Sequence, residues 1–131
     1  MATLSRYART PRPGGSTFEL LSWFYMRISG LLLALIVTFH LLWMHYAIGL
    51  DNINFEVIAG RWTDPQWGTA WRTFDLFLLL FALSHGMNGV RFVVEDYIHH
   101  PGWRVAVKTL LALLLFALLV MGAYVIFTFN G

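Results

Sequence analysis

"TLLALLLFALLVMGAYVIFTF", residues 109–129, is a run of 21 residues with no charge and no histidine. A helix rises about 1.5 Å per residue, so roughly 20 residues cross a hydrocarbon core of about 30 Å. This run is long enough. Upstream, residues 28–44 form 17 positions without a charge, among which His40 is the only titratable side chain. Residues 76–90 form 15 more, holding His85. These two runs reach the required length when Arg27, Asp75 and Arg91 sit at the interface and snorkel. Backbone in lipid is satisfied only in helices or closed barrels, and the runs are far too long for barrel strands. The expectation is an all-α membrane protein with three transmembrane helices, at about residues 20–48, 68–97 and 102–129.

The composition points the same way. Of 131 residues, 58% are hydrophobic and 12% charged. A soluble domain of this length needs more polar residues to cover its surface. One domain is the most this length holds, a membrane-anchor unit over 16–131 preceded by a tail. The absence of cysteine excludes disulfides and any cysteine-held iron–sulfur cluster within the chain. Six tryptophans fit the enrichment of Trp at membrane–water interfaces. Residues 1–15 are polar and basic, with Pro11, Pro13, Gly14 and Gly15, and read as a flexible water-exposed tail rather than a signal peptide.

The connections read as extramembranous. "GLDNINFEVIAGRWTDPQWG" carries Asp51, Glu56, Arg61, Asp64 and Pro65 and reads as a polar loop. "HHPGW" is a tight turn, because Pro101 and Gly102 separate two helices. Arg6, Arg9, Arg12, Arg27, Arg91, Arg104 and Lys108 fall on one side of this topology, and Arg61 and Arg72 on the other. Basic residues favour the cytoplasmic side, which puts the N-terminus inside. No phosphate-binding glycine loop, nucleophile elbow or basic patch suited to nucleic acid occurs.

An ionisable residue within a span is a functional candidate by default. His85 reads either as a neutral histidine bonded to a neighbouring helix or as an axial haem ligand. Gly86 and Gly89 flank it. They offer room for a flat macrocycle, or simply close helix packing. If Arg27 and Arg91 both mark the inner boundary, His40 lies 13 residues in, about 20 Å, and His85 six residues in, about 9 Å. The two then differ in level by roughly 10 Å and do not share one iron, so each would need a partner histidine from another chain. His45 falls at the outer interface. Arg27, Asp96 and Tyr97 would meet at the inner interface. They are either ordinary interfacial anchors or, through Arg N–H and Tyr O–H donors, a place to hold a quinone carbonyl, with carboxylates to relay protons.

"MRISGLLLALIVTFH" and "HGMNGVRFVVEDY", with the loop between them and the last apolar helix, resemble the small membrane-anchor family of succinate dehydrogenase (succinate:quinone oxidoreductase, complex II). The likeness covers roughly residues 16 to 129. It implies a membrane anchor with no succinate chemistry of its own. It would bundle with a sister membrane anchor and hold an iron–sulfur subunit and a flavoprotein on the inner membrane of a prokaryote. It implies haem b at His85, a second haem at His40 as in two-haem members, and a quinone site with Tyr97, Asp96 and Arg27. The pattern departs at one point. Where some sister anchors carry a serine four residues before the arginine, Trp23 stands here, with Ser22 one residue further off. A fumarate reductase anchor, or a structural membrane protein without redox cofactor, fits the same fold.

Overall fold

The structure, a computed structural model, describes residues 16–129, so the tail expected over residues 1–15 lies outside it. Four α-helices follow in order: α1 (Thr17–Leu42), α2 (Phe55–Thr63), α3 (Gly68–Tyr97) and α4 (Pro101–Thr128). Three helical stretches are long and apolar enough to cross a membrane: α1 with its continuation to Ile48, α3 and α4. The protein is an all-α, three-span membrane protein. The central helix is α3, which packs against both α1 and α4 and also carries α2.

Local chemistry sets the helix ends. Ser16 Oγ accepts the Glu19 N–H at 3.4 Å, and Glu19 places its charge in the first turn of α1, where the exposed N–H groups favour an anion. The far end of α1 widens into a π-helical turn, Trp43–Ile48. It stops at Gly49, whose φ of 83° suits glycine. Pro101 opens α4, where a missing N–H is harmless.

The segment expected to be only a polar loop contains α2. Asn54 caps it, its Oδ1 accepting the Val57 N–H at 3.0 Å. Tertiary bonds then dock it. Asp75 Oδ2 accepts from Arg61 at 3.0 Å and from the Trp62 indole N–H at 2.7 Å. Arg72 donates to the Trp62 carbonyl at 3.0 Å and to the Phe129 carbonyl at 2.6 Å, tying α2 and the end of α4 to the first turns of α3. Asp75 is therefore not a snorkelling boundary residue but the largely buried acceptor that seats α2.

This seat is tight. A Cβ on Gly68 would stand 2.6 Å from the Trp62 carbonyl oxygen, a backbone atom that cannot swing aside. Gly68→Ala is expected to loosen α2 by about 1–3 kcal/mol, the usual range for overpacking. Limited trypsin digestion at Arg61 reads this directly. A cleavage rate equal to wild type would show that the contact is relieved without detaching α2.

The pattern of burial inverts that of a soluble protein. Many large apolar side chains face outward, while Ser22 and Ser29 are buried. Lipid solvates the apolar surface, so the seams between helices are where polar side chains find partners.

Candidate functional site

The α1–α3 seam is built from three polar steps. Ser22, Tyr25 and Ser29 recur at helical spacing on α1, so they share a face. On α3 they meet Asn88, Ser84 and His85. The Asn88 amide donates to Ser22 Oγ at 2.9 Å. Tyr25 and Ser84 share a short hydroxyl–hydroxyl bond. Ser29 Oγ lies 2.8 Å from His85 Nδ1.

The last contact fixes a proton. Ser29 Oγ is also 2.6 Å from the Tyr25 carbonyl oxygen. A carbonyl only accepts, so the single hydroxyl hydrogen points there. Ser29 must then accept from His85, which makes Nδ1 the protonated ring nitrogen. Neutral imidazole in that tautomer carries its free lone pair on Nε2. The ring lies close against α1 because Gly30 has no side chain: a Cβ there would be 3.3 Å from His85 Cε1. A Cβ on Gly86, the next residue of α3, would meet nothing within 4 Å.

His40 has a different setting. Its ring stacks on Phe74 with centroids 6.0 Å apart and planes at 14°. Its Nδ1 is buried without a hydrogen-bond partner among the described residues. It lines a cleft of about 710 Å³ with Arg61, Asp75 and aliphatic side chains of α3 and α4. His45 is exposed and packs edge-on against Tyr46, centroids 4.7 Å apart.

The helix register corrects the depth expected for these groups. His85 is level with Ser29 on α1, and His40 with Phe74 on α3. Either way eleven residues separate the two levels (29 to 40, 74 to 85), about 16 Å rather than about 10 Å. The assumption that failed is that Arg27 and Arg91 mark one boundary. Arg91 bonds Ser22 at 3.1 Å and Glu19 at 3.3 Å, both earlier on α1 than Arg27.

The same register separates residues that charge alone placed together. Arg27 stands two residues from Ser29, while Tyr97 stands twelve from His85, so their depths differ by about 15 Å. Arg27 lays its guanidinium over the Trp23 ring at 3.6 Å. Tyr97, the last residue of α3, is 79% exposed, and Asp96 beside it is exposed as well. No hydrogen bond or ion pair among the described residues joins Arg27 to either.

What the helix ends do bring together is a network that was not foreseen from the sequence. Arg91 donates to Asn88 at 2.9 Å and to Ser22, and pairs with Glu19 and Glu95, each at 3.3 Å. Glu95 reaches across to Lys108 of α4 at 2.6 Å. Arg104 donates to the Ile98 carbonyl at 3.0 Å. Ser22 is thus occupied within the chain. Small polar residues every three or four positions inside an apolar run are the signal that would have located this seam. Among the described residues no group of three or more His, Asp or Glu side chains is placed to cage a bare metal ion.

The chain is similar to known proteins at the level of family. No curated protein matches it significantly. The family model described as "Succinate dehydrogenase/Fumarate reductase transmembrane subunit" matches residues 8–127, nearly the whole chain. With three spanning helices and a polar seam holding a histidine between them, the chain belongs to the succinate dehydrogenase/fumarate reductase transmembrane subunit family, the membrane anchors of that complex.

Proposed function

We propose that the chain is the small membrane anchor of a succinate:quinone oxidoreductase, with haem b ligated by His85 and a quinone received at the Arg91 end of the bundle. The observation that carries this reading is the His85 tautomer. Ligating histidines characteristically donate their second N–H to a fixed acceptor, which orients the ring and leaves the other nitrogen for iron. Ser29 is such an acceptor, and the open space beside Gly86 accommodates a flat group. When bound, the haem supplies a one-electron store. His85 holds it, Ser29 and Gly30 orient His85, and the apolar faces of α1 and α3 exclude water.

A second haem at His40 belongs to the same proposal. The cleft beside His40 supports it, and Arg61 offers a cation there. His40 lacks an oriented partner of the kind that His85 has. The rival reading, a structural membrane protein whose histidines only join helices, draws on the same Ser29–His85 bond, which is complete without iron. A dithionite-reduced spectrum and a pyridine haemochrome assay on the purified complex separate the two. Haem b bands support the redox anchor, and a haem-free active complex overturns it.

At the Arg91 end, Tyr97 and Asp96 are proposed to contact the quinone head group, with Arg27 as a deeper cation on the way to His85. By the positive-inside rule this end, and the N-terminus with it, faces the cytoplasm of a prokaryote. A sister membrane anchor would cover the bundle there, and the iron–sulfur subunit and flavoprotein would dock beyond it. Fumarate reduction is the same chemistry run in reverse, and its direction is set by those other chains.

Tyr97→Phe removes one donor and keeps the ring. A hydrogen bond to a neutral acceptor is worth on the order of 1 kcal/mol, so quinone reduction should fall roughly five- to tenfold. Succinate oxidation with a soluble dye acceptor should persist. A parallel fall in both activities would make Tyr97 a structural residue.

A further inference from the structure

We propose that Ser29 is a positioning residue for the redox centre: by accepting the Nδ1–H of His85 it holds the ring in one tautomer and lowers the potential of the haem that His85 ligates. This rests on the reading of His85 as a haem ligand. Three observations about Ser29 itself carry the step. It is fully buried, 0% exposed, so no water competes for the bond. Its one hydrogen is committed to the Tyr25 carbonyl at 2.6 Å, so its oxygen faces Nδ1 only as an acceptor. The neighbouring Gly30 lets the ring approach, since a Cβ there would stand 3.3 Å from Cε1.

The sign follows from charge. An acceptor on Nδ1–H pushes electron density through the ring to Nε2 and makes the imidazole a more basic ligand. A more basic ligand favours the ferric state over the ferrous one, so the one-electron potential falls. The proton stays on Nδ1 in both states, because the Ser29 hydroxyl has no capacity to take it. In a dry seam, where the local dielectric is low, this bond acts more strongly than it would in water.

Ser29→Ala removes the acceptor and leaves a small void. In the purified complex, haem content is read by pyridine haemochrome and the midpoint potential by spectroelectrochemical titration. We expect haem content to be retained. The one-electron equilibrium should shift by about three- to tenfold, an upward shift of roughly 30–60 mV at 59 mV per tenfold. Ser29→Thr, which restores a hydroxyl, should return the potential toward wild type. An unchanged potential in Ser29→Ala overturns the role of Ser29 while His85 remains the ligand. If Ser29→Ala fails to retain haem, Ser29→Cys decides: its thiol is a weaker acceptor of similar size, and a potential equal to wild type overturns the proposal. Haem that persists in His85→Ala instead defeats the underlying reading of His85.

Discussion

His85→Ala should remove one haem from the purified complex outright. The loss is expected to be near complete. A neutral imidazole held by Ser29 offers its lone pair at Nε2, and alanine offers none. Quinone reduction should fall with the haem, or persist by direct transfer at a lower rate, and only the haem assay decides the assignment. The eleven-residue offset makes a companion test independent. With His40 about 16 Å from the His85 level, His40→Ala should leave the His85 haem spectrally intact. Full haem content in His40→Ala would restrict this chain to one haem and make His40 a packing residue against Phe74. Full content in His85→Ala would remove the redox role from the α1–α3 seam altogether.

Arg91→Leu should be the most destabilising single substitution at the other end of the bundle. Arg91 is 12% exposed and joins Glu19 of α1, Glu95 of its own helix, Ser22 and Asn88. It also packs over the Phe92 and Phe18 rings, at 4.7 and 5.3 Å. Leucine would leave Glu19 without its partner and strip one cation from Glu95. Removing one member of a buried pair costs about 3–5 kcal/mol. Glu19 is 45% exposed and Glu95 keeps Lys108, so about 2–3 kcal/mol is expected once solvent screening is allowed for. Lys108→Leu touches only the more exposed side of the network, and should cost under about 1 kcal/mol. Unfolding of the detergent-solubilised complex with an SDS titration orders the two variants. Equal midpoints for both would mean that the network spans the helices without holding them.

The three spans could be read from the chain alone because crossing a hydrocarbon core is a local property. It needs only length and the absence of charge, and residues 28–44, 76–90 and 109–129 have both. The turn at Pro101 and Gly102 is local too, since proline opens a helix whatever surrounds it. His85 stood out for the same reason: an ionisable side chain in an apolar run is conspicuous without any fold. The helix α2 was hidden. Its nine residues include Glu56 and Arg61 and form a helix too short to persist unaided, so its stability comes from Asp75, Gly68 and Arg72 on another helix. Ser29 was visible only as part of a motif. Nothing in the sequence said that its hydroxyl meets His85, 56 residues away. The register between α1 and α3 was likewise undetermined, and the Arg27–Arg91 alignment assumed from charge alone was wrong. Interhelical register is set by which side chains pair across the seam, and those pairs are formed by residues distant in the chain. The spans followed from composition along one helix at a time, whereas the depth of each histidine, the proton on His85 and the partners of Arg91 were decided only when the helices packed.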